Sequence, residues 1–382
     1  MFKFFTSPQQ KGDGLALSAL NNYQVDEAAA LAECNGILKA QELQALNAAG
    51  CSGLSGKSWL MSSKEVSLYR GAAAELFKCS EKLKKINNCL EIFTGRAGCT
   101  ASIIYDEQGA GLKVEIPLQN RRTLGLREVL DRTTAEKMAL PLCIGEYGTG
   151  QRLIIDLAKA PHLLISGTTG SGKSVCLNDI ILSLTHYNTF RDLKLILIDP
   201  KGVELKNYRR VPHLQRPIIT DSGEALEAFR RAYKEMEKRF KRLDRLGVRD
   251  LDERPELFPR LVIAVDEFAN LGFNAQNKKE LLKIIAQISA KGRAAGVHLI
   301  ICTQSPRAVF LPPEIKVNFT SRLVFRAASV AESKIMLDRA GAERLTGKGD
   351  GLYLSTDSPE PVRFQAAFVS NIEVKNAVKG MR

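Results

Sequence analysis

The stretch "PHLLISGTTGSGKSVCLNDIILSL", residues 161–184, decides the fold. Within it, Gly167 to Ser174 match the pattern G-x-x-x-x-G-K-[ST] without a gap. The apolar run before the loop predicts a buried strand, and "SVCLNDIILSL" after it predicts a helix. In that setting Gly167, Gly170 and Gly172 let the backbone take the tight loop that turns its N–H groups toward phosphate oxygens. Lys173 is placed to reach the β- and γ-phosphates of a nucleotide, and Ser174 to give a hydroxyl to Mg²⁺. The helix beginning here adds the positive end of its dipole. Gly167, Thr168, Thr169, Gly170, Ser171, Gly172, Lys173, Ser174 and Val175 are therefore the expected ATP-binding element. Such a loop predicts a bound nucleoside triphosphate and leaves open what its energy drives.

Outward from the loop, "LKLILIDP" (193–200), "RLVIAVDE" (260–267), "VHLIICTQ" (297–304) and "SRLVFRAA" (321–328) are short, nearly continuous apolar runs. Such runs suit strands buried on both faces of a parallel sheet. The clearest helix between them is 221–246, in which Leu226, Phe229, Tyr233, Met236, Phe240 and Leu243 recur at steps of three and four. Asp221 and Glu224 supply a capping start and Gly247 a stop. The segment 349–370 predicts a closing hairpin. Together these define a doubly wound α/β nucleotide-binding domain over 141–382.

Acidic and polar residues fall where such a domain does chemistry. Asp266 is expected at the C-terminal end of a buried strand, in position to hold the Mg²⁺ shell. Glu267 beside it can orient and polarise an attacking water, which favours a nucleotide hydrolase over a small-molecule kinase. Gln304 ends the next strand and is a candidate sensor of the γ-phosphate. Arg293 and Arg322 are candidates for a finger that reaches a neighbouring subunit's ATP. Lys201, Arg307, Lys316, Lys334 and Arg339 lie near loops that follow strands, with no aromatic residues interleaved. Contact with a phosphate backbone, independent of base sequence, fits them better than base readout.

The N-terminal part differs in character. Residues 13–50 are rich in Ala and Leu and predict helix; 47–63 break that pattern with Gly and Ser. A second "GKS", at Gly56–Ser58, fails as a phosphate loop because the first Gly of the pattern would fall on Cys51. An amphipathic helix is expected over 75–93, followed by strands in "CTASIIYD" and "GLKVEIPL". The expected organisation is a helical region over 1–70, a small α+β domain over 71–140, and the nucleotide-binding domain over 141–382.

Lys+Arg 55 against Asp+Glu 42 gives a net charge of +13 over 382 residues. A surplus of that size suits a polyanionic partner, nucleic acid first and an anionic membrane surface second. No apolar run reaches the roughly 18–20 residues that cross a bilayer, and "MFKFFTSPQQKGDG" has no signal-peptide core. The 8 Cys include no C-x-x-C pair, which points away from zinc and toward reduced thiols in a cytoplasmic setting.

Taken in order, "DLAKAPHLLISGTTGSGKSV", "LILIDPKGVEL", "VPHL", "EMEKRF", "LGVRDL", "VIAVDEFANL", "KGRAAGVHLIICTQSP" and "LDRAGAERLTGKGDGLYL" resemble the FtsK/SpoIIIE DNA translocases, within the FtsK–HerA group. The likeness covers about 135–370, and "LKVEIPLQNRRTLGLREVLD" resembles the end of the smaller domain that precedes the motor in that family. The resemblance implies a RecA-like ATPase motor with a mainly parallel sheet, assembling as a hexamer around double-stranded DNA. It implies ATP between subunits, Arg293 ahead of Arg322 as the finger acting in trans, and Lys316 and Lys334 facing the pore. Two departures bear on DNA contact. Ser305 stands where the family usually has Arg, with Arg307 a possible substitute, and Val330 stands where Lys is common. Neither the family's membrane anchor nor its winged-helix module is recognised in the sequence, and residues 1–70 match no known module, so a protein partner there is left open. Three functions follow as expectations: a cytoplasmic double-stranded DNA translocase in transfer, packaging or segregation, a conjugative-type coupling protein, or an ATP-gated DNA-binding scaffold.

Overall fold

The structure is a computed structural model that describes residues 100–106, 109–115, 122–130, 135–147, 150–304, 312–355 and 360–381. The helical region 1–70, the second "GKS", the helix expected over 75–93, and Arg307 lie outside the described residues. The chain divides into two compact units, with the boundary between Arg121 and Arg122.

In the first unit, β1 (Thr100–Asp106) and β2 (Gly109–Glu115) form an antiparallel ribbon. Their register runs from Thr100 opposite Glu115 to Asp106 opposite Gly109. This is the strand pair expected from "CTASIIYD" and "GLKVEIPL".

The second unit starts with the short helix α1 (Leu126–Val129), then β3 (Pro141–Tyr147) and β4 (Gln151–Asp156). There follow β5 (His162–Ser166), α2 (Lys173–Tyr187), β6 (Leu193–Ile198) and α3 (Ser222–Leu246). Next come β7 (Arg260–Val265), α4 (Ala275–Ala295), β8 (Val297–Thr303), α5 (Pro313–Lys316) and β9 (Ser321–Phe325). The unit closes with α6 (Val330–Leu337), β10 (Asp350–Leu354), β11 (Val362–Ala366) and α7 (Asn371–Gly380).

A 9-stranded sheet runs in the order β4-β3-β11-β10-β9-β5-β8-β7-β6. Strands β9, β5, β8, β7 and β6 run parallel to one another, while β4, β3, β11 and β10 pair antiparallel, β10 also meeting β9 antiparallel. Every strand of the parallel part alternates its side chains between two apolar layers. Leu163 and Ile165 enter one core and Leu164 the other; Leu195 and Leu197 enter the first, Ile196 and Ile198 the second. Continuous apolar runs arise because helices cover both faces, α2 and α7 on one and α3 and α4 on the other.

Helix α3 forms as its sequence dictates. The Asp221 carboxylate accepts a hydrogen bond from the Glu224 N–H at 2.9 Å, and Gly247 ends the helix at φ 65°. Leu226, Phe229, Met236 and Leu243 are buried, while Tyr233 and Phe240 lie half-buried beside them. The segment 122–130 belongs with the large sheet rather than with the ribbon. Leu124, Leu126 and Val129 enter the same core as β3, and the Leu126 N–H donates to the Phe368 carbonyl. The boundary expected at 140 therefore falls about twenty residues earlier in the contacts, because apolar side chains of α1 find their partners on β3.

One buried group in α2 is costly. Asp179 is 0% exposed, and neither of its carboxylate oxygens finds a hydrogen-bond partner among the described residues. Burial, joined by the charge of Glu373, pushes its pKa well above the ordinary carboxylate range. The folded chain thus keeps a proton that the unfolded chain releases. This group's contribution to stability falls as pH rises above the ordinary carboxylate value. Asp179→Asn is expected to raise the melting temperature by at least about 2–4 °C at about pH 8 and by less at about pH 4. A thermal-unfolding series across pH, with a gain that does not grow with pH, would contradict this account.

Candidate nucleotide site

The site forms where the parallel strands end. Loop 167–172 leaves β5, Asp266 and Glu267 leave β7, and Gln304 leaves β8, so all of them gather at one edge of the sheet. Strand β8 lies between β5 and β7, and its tip touches both neighbours.

The loop is held from several sides. The Thr168 N–H and hydroxyl both donate to the Arg326 carbonyl, at 2.9 and 3.1 Å. The Gly167 N–H donates to the Thr303 carbonyl, and the Gly349 N–H to the Ser171 carbonyl at 2.8 Å. Gly172 sits at φ 114°, and a Cβ there would lie 2.7 Å from the Gly349 nitrogen. Only glycine fits a loop pressed so closely against the 347–351 turn.

Lys173 opens α2 and is 3% exposed. Its Nζ donates to the Asp266 carbonyl at 2.7 Å and to Asp266 Oδ1 at 3.2 Å, with Glu267 Oε2 at 3.7 Å. Burial alone would lower the Lys173 pKa, but the negative field around it, with the Asp266 and Glu267 carboxylates 3.2 and 3.7 Å away, outweighs burial and holds the ammonium above its ordinary value. Burial pushes the Cys302 thiol far up, so it stays protonated. The two carboxylates therefore supply the negative charge that Lys173 faces.

Glu267 is 2% exposed, and both of its oxygens are held. Thr303 Oγ1 donates to Oε1 at 3.1 Å, and the Gln304 N–H donates to Oε2 at 2.8 Å. Gln304 Oε1 in turn accepts from Thr169 Oγ1 at 3.2 Å, which ties the expected sensor to the phosphate loop. Ser174 is half-buried at the head of α2, and its carbonyl accepts from Asn178 Nδ2 at 2.9 Å.

These residues fit a triphosphate. Ser171 Oγ is buried inside the loop without a hydrogen-bond partner among the described residues. Gly170 stands at the loop's outer turn with open space around its Cβ position. Lys173 and the N-terminus of α2 add positive charge, and Asp266 with Ser174 offers oxygen donors of the kind Mg²⁺ takes.

The other predicted residues are elsewhere. Arg293 is exposed in the last turn of α4, which leads into the start of β8. It therefore sits at the opposite edge of the sheet, about 20 Å from the loop by the length of a seven-residue strand. There it lines a surface groove of about 740 Å³ with Glu237, Phe240, Asp250, Asp252 and Lys291. Arg322, at the same edge, is committed internally: it donates to the Phe319 and Met336 carbonyls at 2.8 and 2.9 Å and pairs with Asp338 at 2.8 Å. Lys316 is also engaged, donating to the Ile335 carbonyl and to Asp338 Oδ1, each at 2.6 Å. Burial works the other way, yet Lys316 and Arg322 hold the Asp338 carboxyl below the ordinary carboxylate range. Lys334 and Lys201 are exposed, and Arg339 pairs with Glu360.

Sequence reasoning missed Thr303 and Asp199. Asp199, fully buried after β6, accepts from the N–H groups of Lys201, Gly202 and Leu205 and so shapes the following loop. The available signal in each case was a polar residue closing a buried apolar strand.

The strand order and the loop define a RecA-like P-loop ATPase domain. A solved structure of the pCW3 conjugation coupling protein TcpA, in monomer form with ATPγS, is similar with a TM-score of 0.59 and 25% identity, covering 78% of this chain and 86% of that one. The cytoplasmic domain of the Thermomonospora curvata type VII secretion ATPase EccC is similar with a TM-score of 0.57 and 25% identity, over 68% of this chain and 34% of that one. The sequence profile of the FtsK/SpoIIIE family matches residues 126–257 and 252–308, and this part of the chain belongs to that family. Among its relatives, DNA translocase FtsK of Borreliella burgdorferi is 41% identical over 280 residues, 70% of this chain and 35% of that protein. DNA translocase SftA of Bacillus subtilis is 40% identical over 281 residues, 70% of this chain and 29% of that protein. The chain thus spans about a third of the length of these relatives.

Gly172→Ala would place a methyl group against the Gly349 backbone in a left-handed conformation. The strain of about 1–2 kcal/mol from conformation alone predicts about 5–30-fold weaker ATP binding. Titration with a fluorescent ATP analogue reads it, and affinity equal to the parent's would refute the close-approach argument.

Proposed function

We propose that this chain is an ATP-driven motor acting on double-stranded DNA as a ring-shaped oligomer, most plainly a hexamer, in DNA transfer, packaging or segregation. The observation that carries the reading is the buried cluster of Lys173, Asp266 and Glu267 beside an open phosphate loop, in a segment of the FtsK/SpoIIIE family. Its relatives' names as DNA translocases supply the substrate, and the net charge of +13 agrees with a polyanion.

In the working site, Lys173 leaves Asp266 for the β- and γ-phosphates, and loop N–H groups bind the remaining phosphate oxygens. Ser174 and Asp266 would hold Mg²⁺, which neutralises charge on the phosphates. Glu267 then accepts a proton from a water aimed at the γ-phosphorus, while Gln304 reports the phosphate's presence through Thr169. Arg293, at the opposite sheet edge, serves a neighbouring copy's ATP, which makes each complete site the joint product of two copies. Lys334, exposed on α6, would contact the DNA backbone, as the family resemblance implies. Arg307 joins it, whereas Lys316 does so only by giving up Asp338. A protein partner for residues 1–70 and a cytoplasmic location complete the proposal.

The likeness to TcpA favours a second reading, a coupling protein that hands DNA to a transfer channel. Hydrolysis measured with no DNA, with linear duplex and with single strands separates these readings. A motor is expected to show stimulation that rises with duplex length; a flat response would count against it. Lys173→Ala and Glu267→Ala should each lower turnover by about 100-fold or more. Only the first should lose ATP affinity, since only it removes a phosphate contact. Arg293→Ala and Glu267→Ala chains, each inactive alone, should regain partial turnover when mixed, because some interfaces then combine an intact Arg293 with an intact Glu267. Absence of any recovery would remove Arg293 from the trans role.

A further inference from the structure

Two consecutive residues at the tip of β8 grip the two oxygens of Glu267 separately. Thr303 Oγ1 donates to Oε1 and the Gln304 N–H to Oε2, at 3.1 and 2.8 Å. Thr303 is 2% exposed and Glu267 also 2%, so this hydrogen bond is made where water does not compete. The same Thr303 accepts, through its carbonyl, the hydrogen bond from the Gly167 N–H at the root of the phosphate loop. One residue therefore joins the loop that binds phosphate to the carboxylate that would activate water.

We propose that Thr303 is a positioning residue for Glu267: its hydroxyl fixes the carboxylate's rotation so that the free lone pairs face the attacking water. The inference rests on the reading of Glu267 as the proton acceptor. Its physical basis is the number of donors. A carboxylate has about four acceptor positions, and a lone backbone donor at Oε2 would leave the group free to rotate about its last torsion. A second donor at Oε1 removes that freedom. The lysine does not take its place, because Lys173 Nζ stands 3.7 Å from Oε2 and bonds to Asp266 instead, and in the proposed working site it would move to the phosphates. With Lys173 withdrawn, Thr303 and the Gln304 amide are what hold Glu267.

A proton acceptor displaced by about 1 Å can lose on the order of 100-fold in rate without any loss of substrate binding. Thr303→Val keeps the shape of the side chain and removes only the hydroxyl. Turnover, ATP affinity by fluorescent-analogue titration, and melting temperature are measured on the full chain for Thr303→Val, Thr303→Ala, Thr303→Ser and Glu267→Ala. The expected result is a kcat about 10–100-fold lower in Val and Ala, with KM and ATP affinity within about twofold of the parent. Thr303→Ser, which restores the donor, should recover kcat to within about threefold. If Val does not fold, Ala carries the comparison, since it adds no branched methyl at the strand end.

A kcat unchanged in Val and Ala, with Glu267→Ala inactive, would overturn the role of Thr303 and leave Glu267's standing. A higher rate in Val would overturn it too, showing a hydroxyl that holds the carboxylate away from water. Loss of kcat and ATP affinity together, unrescued by Ser, would reduce Thr303 to a strand-end structural group. Full turnover in Glu267→Ala would instead end the proton-acceptor reading itself.

Discussion

The structure turns on one buried cation. The Lys173 ammonium, almost fully enclosed, is held by the Asp266 carbonyl and side chain with Glu267 close by. A lone charge in such a place would cost several kcal/mol, so the strand ends that bring acid and base together are not interchangeable with others. In the proposed working site, ATP phosphates would compete for Lys173, and its departure would leave Asp266 open to Mg²⁺ and Glu267 to its remaining partners.

That arrangement depends on strand order. In sequence, β8 comes after β7, yet in the sheet it lies between β7 and β5. The crossing sets Thr303 and Gln304 between the phosphate loop and the acidic pair, touching Gly167 and Thr169 on one side and Glu267 on the other. The proposed sensing of the γ-phosphate by Gln304 would then have a short route to Glu267. The apolar layers on both faces of the sheet keep these edges in register, because every core strand is clamped from above and below.

The opposite edge of the sheet uses its arginines in two different ways. Arg293 is exposed there beside a groove that holds acids as well as bases, while Arg322 at the same edge is spent on internal carbonyls and Asp338. The contrast distinguishes an arginine available to another chain from one that holds its own fold together. Asp338 illustrates how dense the internal use of charge is, since one carboxylate ties both Lys316 and Arg322 to the end of α6.

Local chemistry made much of this legible in the amino-acid sequence alone. The phosphate loop, the parallel strands, the cap and stop of α3, the closing hairpin and the acids at 266 and 267 all follow from short-range rules: glycine's conformational freedom, side-chain alternation, helix capping, and polarity that begins where a buried strand ends. What the sequence could not supply was the meeting of residues far apart in the chain. Thr303 as Glu267's partner, Gly349 against Gly172, the internal engagement of Lys316 and Arg322, and the attachment of 122–130 to the large sheet each depend on a long-range approach. The sequence determined which residue types stand at the strand ends; only tertiary structure decided which of them touch, because periodicity reports burial within one element and carries nothing about the order in which elements lie side by side.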